Sequence, residues 1–166
     1  MASVPAAANS DDAALATYAA ALVDAVDAAL AGWVLRSVVG IIDAWQPGVP
    51  IDPSVLREAE RAGDAARRDV VPVLRGLLAR DIDEQPTNPL SVLRGAVRYP
   101  TEVLAGVGVP PVVRDEFDAR AFPEDVYGLT PASFADIDVT LHEPALVWGA
   151  AKAHVHLTRR RAEGRR

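Results

Sequence analysis

The sequence predicts an all-α protein: a compact helical bundle of about six helices, with a long N-terminal helix and an acidic, proline-punctuated cap of short helices. Three observations predict it. Apolar residues recur at steps of three and four along most of the chain. Pairs of a capping residue and a proline stand at Asp52-Pro53, Asn88-Pro89 and Thr130-Pro131; each puts proline at a first helical position, where its missing N–H is not needed. No segment alternates apolar and polar residues as a half-buried strand does.

Residues 1–9 are small and polar and are expected to be disordered, ahead of a single helical domain over residues 10–158 and a basic tail over residues 159–166. Ser10-Asp11-Asp12 supplies a cap for the first helix. Its face is read as Leu15, Tyr18, Leu22, Val26, Leu30, Trp33, Ser37, Ile41 and Trp45, ending before Pro47-Gly48. A second helix is expected from Pro53 to about Arg68. Asp69 is read as the cap of a third, with Val70, Val73, Leu74, Leu77 and Leu78 as its apolar stripe and Pro72 in its first turn. A fourth opens at Pro89 and runs through Val92, Leu93, Ala96 and Val97, with Pro100 expected to end or kink it. Short helices are expected near residues 112–119 and after Pro131. A C-terminal helix follows, with Leu146, Ala150, Ala153 and Leu157 on one face.

Val-Leu-Arg occurs at Val34, Val55, Val73 and Val92, but the flanking residues do not repeat and the spacing is too short for a helical-hairpin repeat. The tripeptide reads as one local solution used four times: two residues facing a core, then an arginine leaving it.

Composition narrows the function classes. The chain of 166 residues has no Cys, which excludes disulfides, thiolate metal sites and cysteine nucleophiles and fits a reducing, cytoplasmic setting. The N-terminus lacks the basic opening of a secretory signal. The most apolar window, residues 28–42, carries Arg36 and is shorter than the roughly 20 residues of a bilayer span, so a core helix and no membrane partner are expected. A phosphate-cradling glycine loop and a Gly-x-Ser-x-Gly elbow are both missing. No cofactor and no catalytic residue is assigned.

The formal charge of −6 is uneven. Residues 99–138 hold eight carboxylates against Arg114 and Arg120, while residues 159–166 hold five Arg against Glu163. Nucleic-acid binding would rest on that tail alone, against an acidic body. Within the acidic segment, aromatic residues concentrate in a chain that is only 5% aromatic. Asp115, Glu116, Asp118, Phe122, Glu124, Asp125, Tyr127 and Phe134 are therefore the candidate partner-binding residues of a non-catalytic interaction or regulatory protein that docks a partner with a basic surface. The competing structural reading is a folded cap whose rings are simply core.

Two other classes stay open. A small metal-dependent enzyme would use His142 and Glu143 with Asp115, Glu116 or Asp118 brought in by folding, although the Glu-x-x-His pattern of helical di-metal sites is missing. A structural homo-oligomer would bury Trp33, Trp45 and Trp148 between copies in a chain that is 50% hydrophobic.

Overall fold

The computed structural model describes residues 6–80, 84, 87 and 89–129. Among the described residues there are five helices and no strand, so the fold is all-α. The helices expected after Pro131 and at the C-terminus lie outside the described residues.

The first helix, α1 (Ala6–Trp45), is 40 residues long. It begins ahead of the cap expected at Ser10 and stops at the expected place, where Gly48 takes a φ of 73° and the Val49 N–H donates to the Gln46 carbonyl. Its buried line is Val23, Val26, Leu30, Val34, Val38 and Ile42. This corrects the face read from the sequence, which left Leu30 for Trp33, Ser37, Ile41 and Trp45. Successive steps of four advance about 400°, so the line winds across the helix, as it does where a partner crosses at an angle. Trp33 and Ile41 flank that line half-buried, and Trp45 is exposed. The side chains of Leu15, Tyr18 and Leu22 lie outside the described residues. Within α1, Val23–Trp45 is a 23-residue stretch long and apolar enough to cross a bilayer by length and composition, longer than the window read from the sequence. Here one line of it is covered by the helices that follow.

The second helix, α2 (Pro53–Leu78), is 26 residues long and opens as expected, with Asp52 Oδ1 accepting from the Ser54 N–H at 2.7 Å. It does not stop at Arg68. The second and third helices expected from the sequence are one helix with Pro72 inside it. Asp69, the expected cap, is mid-helix, and its carboxylate accepts from Tyr99 Oη at 2.9 Å. Proline removes a single N–H and crowds one carbonyl. On this helix the loss is outweighed by the apolar face on both sides of it, since Val70, Val71, Leu74 and Leu77 are all buried.

Small residues set how closely the first two helices meet. Ala59, Gly63 and Ala66 lie one turn apart on the buried face of α2. A Cβ on Gly63 would stand 2.7 Å from the Ala31 carbonyl oxygen of α1. Val23 to Val34 share a core with Ala66 to Leu74, whereas Val38 and Ile42 share one with Ala59, so α1 and α2 run antiparallel.

A break separates α3 (Pro89–Gly95) from α4 (Arg98–Gly106). The sequence places that break at Pro100; it falls at Ala96 and Val97 instead. Pro100 has no N–H for the Ala96 carbonyl, which accepts from Tyr99 N at 3.2 Å and so tightens the turn. Pro100 then sits fully buried in the first turn of α4, where its missing donor is harmless. Helix α4 runs from the first core, at Tyr99, to the second, at Val103 and Leu104. It therefore lies parallel to α1 and antiparallel to α2. The last described helix, α5 (Glu116–Ala121), starts later than the expected residue 112 and buries none of its residues.

Candidate docking surface

Beyond α4 the chain forms a loop over residues 109–129, and its hydrogen bonds explain its shape. The buried Tyr127 hydroxyl donates to the Val109 carbonyl at 2.7 Å, and the Val112 N–H donates to the Val126 carbonyl at 3.0 Å. These bonds close the loop at its base. Val109 and Tyr127 pack into the second core with Val103 and Leu104. Burial pushes the Tyr127 hydroxyl above its ordinary range, because the ring cannot be charged cheaply there.

The eight candidates separate by position. Tyr127 is 4% exposed and Asp125 is 3% exposed, so neither offers a surface to a partner. Asp125 Oδ1 accepts from the Leu129 N–H at 2.7 Å and shapes the turn. Phe122 is half-buried; the Arg94 guanidinium lies 5.0 Å from its ring centre, and its carbonyl accepts from Arg114 Nη1 at 2.6 Å. Asp115 caps α5 by accepting from the Asp118 N–H at 2.8 Å, and that bond holds its carboxyl below the usual range. Asp118 is shifted upward, first by desolvation and then by the Asp115 carboxylate beside it. Glu116 is exposed and paired with Arg120 one turn along α5, and Glu124 is exposed on the following turn. Phe134 lies outside the described residues.

Two apolar residues that the candidate set omits are the most prominent on this surface. Phe117 is 73% exposed and Val113 is fully exposed. A signal for Val113 was present in "VGVPPVV": Pro110 and Pro111 keep the backbone extended, and Val109 is anchored inward. Which residue then faced outward depended on the bond between Val109 and Tyr127, 18 positions apart.

His142, Glu143 and Trp148 lie outside the described residues. No group of three metal-ligating side chains occurs among the described residues.

A groove of about 1000 Å³ lies between α2 and α4. Its apolar lining is Val55, Ala62, Ala65, Tyr99, Val103 and Val107, and Arg57, Glu58, Arg61, Asp64, Arg68 and Glu102 supply charges of both signs. The Tyr99 hydroxyl accepts from Arg98 Nη2 at 2.7 Å while donating to Asp69, which fixes the ring at one end of the groove. Comparisons with protein-family models, with curated proteins and with solved structures find no match for this chain.

Proposed function

We propose that this chain is a non-catalytic protein-interaction protein, and that its docking surface is the outward side of the loop over residues 109–129. Val113 and Phe117 are the apolar anchors, and Asp115, Glu116 and Glu124 form the acidic rim. The partner is a protein segment that carries apolar side chains beside Lys or Arg.

One observation carries the reading: Phe117 is 73% exposed on a loop held by bonds at its base and at its turns. An exposed ring on an ordered support loses little conformational entropy on binding, which is what distinguishes an anchor from an incidental surface residue. Of the other candidates, Phe122, Asp125 and Tyr127 act by holding that support in place.

The test is selection of binders from a displayed random-peptide library on immobilised wild-type protein, with Phe117→Ser and Glu124→Lys variants as counter-targets. Peptides enriched in Lys or Arg next to aliphatic residues, retained by wild type and lost by both variants at unchanged melting temperature, are the expected result. Peptides retained equally by all three proteins would remove the surface from consideration. Asp125 is the wrong site for charge reversal, since its carboxylate is needed inside the loop.

A further inference from the structure

We infer that the partner docks on this loop as an extended strand that exchanges backbone hydrogen bonds with Val113; the inference rests on the reading of the loop as the docking surface and adds the partner's bound conformation. Residues 109–115 run without a helical turn or bend. Proline fixes φ at Pro110 and Pro111 and holds the residue before each of them extended, and Asp115 at the far end is extended too, with φ −66° and ψ 161°. One side of this segment is taken, because the Val112 N–H donates to the Val126 carbonyl at 3.0 Å. Successive amides of an extended chain point to opposite sides, so the Val113 N–H and carbonyl face away from that bond. Val113 is fully exposed, and among the described residues nothing takes up either group. An outward donor and acceptor on one residue is the arrangement that pairs with a single residue of an added antiparallel strand.

The neighbouring residues define which strand fits. Pro110 and Pro111 offer no N–H, and α5 begins at Glu116, so the edge is only a few residues long and accepts a short segment rather than a sheet of copies. A second copy would also bring the same acids, Asp115, Glu116 and Glu124, against these. Side chains on one face of a strand pair stand opposite each other at steps of two. Val113 and Asp115 are two apart, so an aliphatic residue opposite Val113 and a Lys or Arg two positions from it match both. A helical ligand spaces its side chains at three and four and uses its own N–H groups internally, so it has no donor for the Val113 carbonyl. The partner is therefore a short extended segment with basic and aliphatic residues two positions apart.

The probe is the end-capped peptide Thr-Lys-Thr-Val-Thr-Lys-Thr, which carries Lys two residues to either side of Val, titrated into the full-length protein and followed by the protein's amide NMR signals. Saturable binding with the Val113 amide among the signals that move is the expected result. The same peptide with its Val N-methylated keeps every side chain but loses the central backbone donor, and is expected to bind about tenfold more weakly, the effect of one hydrogen bond. Val113→Pro removes the protein's own donor where the fold makes no use of it, and is expected to weaken the unmodified peptide by a similar factor at unchanged melting temperature. If the methylated peptide, or the Val113→Pro protein, binds as tightly as its parent, the inference is overturned; should Phe117→Ser still abolish that binding, the loop stands as a docking surface without the strand. No binding of the unmodified peptide at millimolar concentration overturns the inference as well, and the library selection then decides separately on the surface.

Discussion

At the residue scale, one glycine decides how near two helices come, and another does nothing of the kind. Gly63 faces a backbone carbonyl at a distance no Cβ tolerates, whereas a Cβ on Gly40, near the C-terminal end of α1, would meet nothing within 4 Å. Gly63→Ala is therefore expected to destabilise by about 1–2 kcal/mol, because overpacking against backbone exceeds the roughly 1 kcal/mol gain in helix propensity. Gly40→Ala receives that gain alone and is expected to stabilise. Denaturant unfolding of the two variants checks both signs, and two shifts in the same direction would contradict the packing argument. Tyr127 is the second deciding residue. Tyr127→Phe keeps the ring but strands the Val109 carbonyl, for an expected loss of about 1–2 kcal/mol by the same measurement. The wild-type contribution lies on the low-pH side. With its folded pKa raised, the Tyr127 hydroxyl stabilises fully below its ordinary value of 10.0, and that support is lost as pH climbs through the folded value.

At the element scale, the instructive case is α2. Read locally, Asp69 and Pro72 spell a new helix start, because an acidic residue three positions before a proline has the form of a cap and first turn. The helix instead runs through them, since its buried face continues from Ala66 to Leu77 against α1 without a gap. Pro72 is exposed and leaves the Arg68 carbonyl without its helical donor. Pro72→Ala restores that donor and is expected to stabilise by about 1–2 kcal/mol, part of the intrinsic gain being offset by a freer unfolded chain. A fall in melting temperature would mean that the helix depends on a bend at this position. Helices α3 and α4 show the converse. Pro100 was legible as a disruption, but the disruption travelled to the Ala96 carbonyl four residues earlier, the group that proline leaves without a donor.

On the scale of the whole molecule, α1 and α2 are joined across their faces by Arg67 Nε donating to Asp27 Oδ1 at 2.7 Å. That hydrogen bond, first among the causes, holds the Asp27 carboxyl below its ordinary 3.8, with the charge of Arg67 adding to it. A depressed folded pKa contributes stability that is complete above the unfolded value and disappears as pH falls through the folded one. Asp27→Asn is therefore expected to unfold at a slightly lower temperature than wild type at neutral pH and low salt, and together with it at about pH 2. A gap that persists in acid would show that the two residues matter through packing rather than charge. The candidate site is also a property of this scale. Its acidic and aromatic character was visible in the composition, but its division into Phe117 outside and Tyr127 inside follows from one core bond at the base of the loop.

The sequence by itself determined that this protein is helical, where α1 ends, where α2 and α3 begin, and that residues 109–129 would be rich in acids and rings. Those features depend on neighbours within a turn or two, through caps, prolines and spacing. Tertiary structure alone decided that α2 continues through Pro72, that the buried line of α1 winds from Leu30 to Val34 and Val38, and that Phe117 is exposed while Tyr127 is not. Each of these depends on a contact between distant parts of the chain, such as Ala31 with Gly63 or Tyr127 with Val109. Local spacing holds no record of such contacts.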